Sequence, residues 1–318
     1  MSIRRFNWQA SVAVIGLALL WTFAAMAQKE KKSGHSETVP SDAPSVLWRE
    51  PVDISSRDLY LGPGGEAMKP DLSSITFLRD ETKSFSTKYR VRDGSGNEWV
   101  VKIGVEAKSE TAASHLVWAA GYFTDITYLV PHVEIKGKGT FDDVRFEARP
   151  KGTKRLDDHW DWSENPFVGT TELQGLKVLM ALINNWDIQN HNNNVLLVHD
   201  ESTGKSELRY IDSDLGATFG KTGRFIGHTR NRPDEYAETK FIKGVDKGFV
   251  RFAYSGKNQH LLKDITVSQA KWLGNILSQL SDQQIRDAFR AANYSPEEIE
   301  GLTQIMRSRI NELVALQG

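Results

Sequence analysis

The stretch that most restricts the fold of this 318-residue chain is Asn184-Asn185-Trp186-Asp187-Ile188-Gln189-Asn190-His191-Asn192-Asn193-Asn194-Val195-Leu196-Leu197-Val198. Leu173, Leu176, Leu179, Met180 and Ile183 precede it at helical spacing, so an apolar stripe runs into the loop. Val195 to Val198 leave it as a short apolar strand. A second carboxylate cluster follows in Tyr210-Ile211-Asp212-Ser213-Asp214-Leu215-Gly216. A loop bearing Asp and Asn, then a strand ending in Asp-x-Gly, supplies the oxygen ligands that hard divalent cations prefer. Asp and Asn also favour turns, so each loop taken singly reads as turn chemistry.

Composition narrows the classes. Hydrophobic content of 39% and charged content of 25% are ordinary for a globular protein, and the length suits two lobes or two modest domains. The net charge of −1 gives no sign of a nucleic-acid or anionic-membrane partner. The absence of cysteine excludes disulfides, a thiol nucleophile, thiolate metal sites and a lipid-anchored cysteine.

At the N-terminus Arg4 and Arg5 precede the apolar run Ser11 to Ala24, and Ala25-Met26-Ala27 forms a small-x-small cleavage signature. Residues 1–27 are therefore expected to be a signal peptide, with export to the periplasm or beyond and no stable membrane span once it is cleaved. The alternative is an uncleaved anchor, since Ala10 to Ala27 nearly suffices to span a bilayer. Residues 28–45 are polar and Pro/Ser-containing, the composition of a disordered tether.

Beyond it, Leu61-Gly62-Pro63-Gly64-Gly65 reads as an ordinary tight turn rather than a phosphate loop, because no helix signal follows. Strands are expected at Ser74 to Arg79, Lys88 to Arg92 and Glu98 to Ile103. In the last of these Trp99, Val101 and Ile103 point one way, Val100 and Lys102 the other. Glu106 to Tyr122 has helical periodicity that places Glu110 on the apolar stripe beside Ala113 and Val117. A carboxylate there needs a partner, and Lys102 is the nearest. Glu106 competes for that lysine, and with Ser109 as N-cap Glu110 would merely complement the helix terminus.

Further strands are expected at Tyr128 to Lys136 and Asp143 to Ala148. Arg149-Pro150-Lys151-Gly152 then marks the lobe boundary, giving lobes 46–150 and 151–318. Thr171 with Gln174 reads as a capping box opening the helix before the central loop. Phe219 to Arg232 holds Lys221, Arg224, Arg230, Arg232 and His228 without an acidic residue, the composition of a solvated run or of a segment that receives an anion. Later helices are marked by Ser281 with Gln284 and by Ser295-Pro296-Glu297-Glu298.

Strand lysine, helix glutamate, Asp187-x-x-x-x-Asn192 and Asp214-Leu215-Gly216, in that order, resemble the protein-kinase-like superfamily. Trp99-Val100-Val101-Lys102 stands where kinases carry V-A-I-K. The resemblance spans Ser74 to Leu280 and leans toward divergent secreted and atypical branches such as the Golgi casein kinase, CotH-like and HipA-like types. The run Ser213 to Gly220 is also similar to one found in a group of bacterial secreted proteins.

The resemblance implies an α+β, two-lobed fold, with an antiparallel sheet and one helix in the N-lobe and a mostly helical C-lobe. It implies ATP and Mg²⁺ or Mn²⁺ as cofactors. Lys102, held by Glu110, would bind phosphate oxygens, with Val100 beside the nucleotide. Asp187 would orient or deprotonate a hydroxyl acceptor of unknown identity. Asn192 and Asp214 would ligate the metal, with Asn193 or Asn194 as alternatives and Asp212 as a second-choice carboxylate.

The chain departs from the kinase pattern at three places. Glu81 to Thr87 replaces a glycine-rich loop, Asn185-Trp186 replaces the usual His-Arg, and no clear A-P-E equivalent follows. Those departures also fit a nucleotide-binding pseudokinase or an envelope interaction protein with a structural cation. The Walker-like Gly216 to Thr222 lacks a following helix, His191 is a lone loop histidine, and Trp160 with Trp162 reads as packing.

Overall fold

A computed structural model describes residues 39–81, 86–157, 159–223 and 225–317. The expected signal peptide, most of the tether, Thr82 to Phe85 of the loop between the first barrel strands, and Arg224 lie outside them. From Ala43 onward the chain forms one compact unit. Its first strand is Ser45–Val46 (β1).

Five strands follow in the first half: Ile75–Asp80 (β2), Thr87–Arg92 (β3), Glu98–Ile103 (β4), Thr127–Lys136 (β5) and Gly139–Ala148 (β6). They close into a barrel in the order β2-β3-β4-β6-β5. An antiparallel sheet is the expectation, and four of the five junctions are antiparallel. The fifth is a short parallel pairing, Ile75 opposite Ile135 and Thr76 opposite Lys136, which removes the exposed strand edges.

Strand alternation sorts the side chains. Val91, Trp99, Val101, Ile135, Val144 and Phe146 fill the barrel. Val100 stands opposite Glu147 and Lys102 opposite Arg145 on the outer face. Glu106–Ala119 (α1) shuts that face, burying Ala112, Ala113, Leu116 and Val117 in the main core.

The second half is not purely helical. Thr153–Arg155 (β7), Asn193–Asp200 (β8) and Lys205–Asp212 (β9) join β1 in a four-stranded sheet ordered β1-β9-β8-β7. Around it lie Thr171–Leu182 (α2), Pro233–Ala237 (α3), the hairpin Ile242–Asp246 (β10) and Phe249–Phe252 (β11), Val267–Leu277 (α4), Asp282–Ala291 (α5) and Pro296–Val314 (α6). The boxes at Ser281/Gln284 and Ser295/Glu298 are both formed, and Thr266/Gln269 caps α4 in the same way.

The expected box at Thr171 shifts by one residue. Thr170 is the N-cap and accepts from the Leu173 amide, leaving Thr171 as the first helical residue. Gly62 takes φ +65° against His115, whose ring is held between the Leu59 and Thr127 carbonyls, so the glycine-rich turn is structural. Trp160 and Trp162 pack 4.7 Å apart in the core.

Gly175 on α2 admits no side chain. A Cβ there would lie 2.4 Å from the Trp272 ring and 2.6 Å from the Tyr122 hydroxyl. Gly175→Ala is expected to destabilise by about 1–3 kcal/mol despite the gain in helix propensity, read as a lower urea midpoint.

Candidate active site

β4 delivers Lys102 beneath α1, where its ammonium is 1% exposed. Glu110 Oε2 lies at 2.7 Å, Glu106 Oε2 at 2.6 Å and Asp214 Oδ1 at 3.4 Å. Both candidate glutamates thus reach the lysine, being one helical turn apart on the same face. Ser109 is not the N-cap, since α1 begins after Val105 without a side-chain cap. Its hydroxyl instead donates to the Gly216 carbonyl at 2.8 Å, tying Asp214-Leu215-Gly216 to α1. Gly216 is needed there, because a Cβ would fall 2.9 Å from Glu106 Cβ.

The central loop is fixed from below. Arg309, 2% exposed, donates to the Leu182 carbonyl at the end of α2 (2.6 Å) and to Asn184 Oδ1 (3.2 Å). Asn184 turns the chain at φ +51°, a conformation asparagine tolerates. The Asn185 carbonyl accepts from the Tyr254 hydroxyl at 2.7 Å, and the Ile188 carbonyl from Asn258 at 2.9 Å. Asp187 receives Gln189 Nε2 at 2.8 Å and Lys257 Nζ at 2.6 Å on Oδ1. Asn192 Nδ2 donates to the Asp187 carbonyl at 2.7 Å and to Oδ2 at 3.3 Å.

Val100, Glu110, Asp187, Asn192 and Asp214 line one cleft of about 610 Å³, with the Lys102 ammonium reaching it through Asp214. Of the three asparagines, Asn193 is fully buried, donates its Nδ2 to the Trp160 carbonyl and does not line the cleft, whereas Asn194 lines it and donates to Ser213 Oγ at 3.0 Å. The alternatives for an amide ligand thereby reduce to Asn192 and Asn194. The facing groups fit a hard cation: the Asp214 carboxylate and amide oxygens are all hard donors. Among the described residues no three His, Asp or Glu side chains form a site without the amides. Asp212 sits beneath, its Oδ1 buried without a hydrogen-bond partner.

The electrostatics separate the carboxylates. Burial, reinforced by the charges of Asp214 and Asp187, pushes the Asp212 carboxyl far above its usual range. Burial also raises Asp214, but Lys102, Lys88 and Arg145 outweigh it and leave its carboxyl below the ordinary value. Glu147 is desolvated as well, yet Arg149, Arg145 and Arg155 hold it strongly ionised.

Sequence reasoning missed Lys257, Arg145 and Arg309. Arg145 Nη1 bridges to Glu110 Oε1 at 2.6 Å and Nη2 to Glu147 at 2.7 Å. Its place on the Lys102 face follows from alternation along β6, so that signal was present. Lys257 and Arg309 carry no local pattern. Within the basic run, Lys221 faces Glu235 at 3.8 Å and Arg232 faces Asp234 at 2.9 Å. Among the described residues of the run, Arg230 lines the cleft, pairing with Glu106 and lying 4.8 Å from the Trp186 ring.

No protein-family model and no curated protein matches the chain. Among solved structures it is similar to the proinflammatory kinase CtkA of Helicobacter pylori, at 12% identity over 76% of this chain and 93% of that one, TM-score 0.43. It is also similar to the Golgi casein kinase with Mn/ADP bound (11% identity, 82% and 76% covered, TM-score 0.33). A third is the Rio2 kinase–ADP/Mg²⁺–phosphoaspartate complex of Chaetomium thermophilum (11%, 77% and 74%, TM-score 0.30). The fold is α+β, a closed five-stranded barrel with α1 followed by a second sheet and helices. Likenesses this distant carry no family, site or activity with them.

A carboxyl whose native pKa is raised costs stability progressively as pH climbs above its unfolded value, and costs nothing below it. Asp212→Asn is therefore expected to melt higher than the parent at pH 7 in the presence of EDTA, with the gap closing toward pH 4. Calorimetry across that range checks it.

Proposed function

We propose that this chain is a metal-dependent phosphotransferase that moves a phosphoryl group from ATP to a hydroxyl acceptor outside the cytoplasm, with lobes dividing near residues 150 and 151. The observation that carries the reading is the meeting of Lys102, Glu110, Asp187, Asn192 and Asp214 around one cleft although they lie far apart in sequence.

Phosphoryl transfer demands positioning and charge neutralisation more than covalent participation by the protein. Lys102, oriented by Glu110, holds phosphate oxygens of the donor. Asp187 accepts the proton of the acceptor hydroxyl as its oxygen bonds to the γ-phosphorus. The bond from phosphorus to the β–γ bridging oxygen breaks, and ADP leaves with that electron pair. Lys257, 2.6 Å from Asp187, is placed to neutralise charge on the transferring group and to hold the Asp187 carboxylate in position. Asp214 with Asn192 or Asn194 would hold a Mg²⁺ or Mn²⁺ ion, whose contribution is to neutralise phosphate charge.

One observation favours a second reading, a pseudokinase that binds nucleotide without transfer. Asp187 Oδ1 is already engaged by Lys257 and Gln189, so an acceptor hydroxyl would have to displace a partner to reach it.

The two readings part in one experiment on purified protein with ATP and Mg²⁺ or Mn²⁺. Transfer predicts turnover, falling by about 10²-fold or more in Asp187→Ala and Asp214→Ala. Lys257→Met is expected to lower kcat while leaving KM nearly unchanged. A nucleotide-induced rise in melting temperature with no labelled product selects the pseudokinase, and neither response sinks both. Export is tested separately, by N-terminal sequencing of the mature protein, expected to begin at Gln28.

A further inference from the structure

Behind the connection between barrel and helical half lies a second cavity, of about 370 Å³. It shares only Asp125, Arg149 and Arg155 with the cleft, which therefore form a wall between the two. Five guanidiniums line it, those of Arg49, Arg57, Arg149, Arg155 and Arg209, against one carboxylate, Asp125. The carboxylates that pair with them from outside are shared. Glu207 serves both Arg49 and Arg209, and Glu147 serves Arg145, Arg149 and Arg155. Asp53 holds Arg57 at 2.9 Å. Each shared carboxylate leaves guanidinium N–H groups uncommitted, because arginine has five donors and a carboxylate accepts two in a fork.

Three of the five lie over aromatic rings. Arg209 and Arg49 lie 4.8 and 5.3 Å from the Phe123 ring, and Arg57 lies 4.8 Å from the Trp118 ring. Stacking fixes a guanidinium plane at little cost in hydration, so its donors are pre-set for a planar or tetrahedral anion. Phe123, Ile126, Leu196 and Val198 supply an apolar floor. Asp125 lines the same cavity at 7% exposure, and its Oδ2 has no hydrogen-bond partner. A buried polar atom left unsatisfied in a walled cavity marks a place where a ligand donor would be accepted.

We propose that this cavity binds a small organic phosphate, its dianionic head on Arg49 and Arg209 and its apolar body on Phe123, Ile126, Leu196 and Val198, with a ligand hydroxyl or N–H donating to Asp125. The volume suits a compact ligand, at the lower end of the range for small-molecule sites. A phosphate dianion has three terminal oxygens, enough to accept from both guanidiniums at once. The site is independent of the chemistry assigned to the cleft.

Titration calorimetry of the full chain with phenyl phosphate tests it, with phenol and inorganic phosphate as separated halves of the probe. Phenyl phosphate is expected to bind at least about tenfold more tightly than either half. The double variant Arg49→Gln/Arg209→Gln should weaken it by about tenfold or more, while the cleft variant Arg230→Gln/Lys257→Gln leaves it within about twofold. Val198→Trp, which fills the cavity without touching a charge, should abolish binding, so a failure of the arginine variant to fold does not rescue the idea. Equal affinity for inorganic phosphate, loss in the cleft variant alone, or no heat of binding at millimolar probe overturns the site.

Discussion

Lys102 and Glu110 are each about 99% and 98% removed from solvent, and their 2.7 Å contact is the first link in a line of alternating charges. Glu110 passes to Arg145, Arg145 to Glu147, and Glu147 to Arg149 and Arg155, the last of which ends on Asp125. No member of such a line is tolerable alone. Removing one partner of a buried ion pair strands the other and costs about 3–5 kcal/mol, although the intact pair adds little net stability. The line therefore acts as a register lock more than as a source of stability. It fixes α1 against β4 and β6, and only one placement of that helix satisfies all its charges.

The alternation that produces this lock was legible in the sequence. Glu98 to Ile103 reads as a strand with Val100 and Lys102 on one face, and the fold places them so, opposite Glu147 and Arg145. Glu110 on an apolar stripe demanded a partner, and burial supplied the reason. What could not be read was non-local. The parallel pairing of Ile75 with Ile135 closes the barrel across some sixty residues and leaves no mark in either strand. Thr170 and Thr171 are chemically equivalent caps, and only the position of the Leu173 amide decides between them. Three consecutive asparagines are indistinguishable until the pairing of β8 with β9 sends Asn193 inward. Lys257 reaches Asp187 because Tyr254 and Asn258 fasten its loop to the central one, contacts spanning about seventy residues.

The arginine-lined cavity and the cleft owe their separation to the same line of charges. Arg149, Arg155 and Asp125 carry it out of the core and stand between the two spaces. The end of the cleft beside Val100 is thus lined by ions, among them Arg145, Glu147, Arg149 and Arg155. Glu147 is shared among Arg145, Arg149 and Arg155, and Asp125 is held by Arg155 through one oxygen.

The contacts of Lys102 also order what a phosphate entering the cleft would displace. An ammonium has three donors, and three carboxylates already meet it. Glu110 is pinned on its far oxygen by Arg145, so it holds its place. Glu106 is shared with Arg230 and with Ser86, which keep it beside the lysine but spread its charge. Asp214, at 3.4 Å and 43% exposed, makes the longest contact. A phosphate oxygen would therefore replace Asp214 on the lysine first, and the carboxylate so released is the strongest oxygen donor facing the amides of Asn192 and Asn194. Under the proposed function, binding of the anion and assembly of the oxygen ligands would thus be the same local exchange of partners at one lysine.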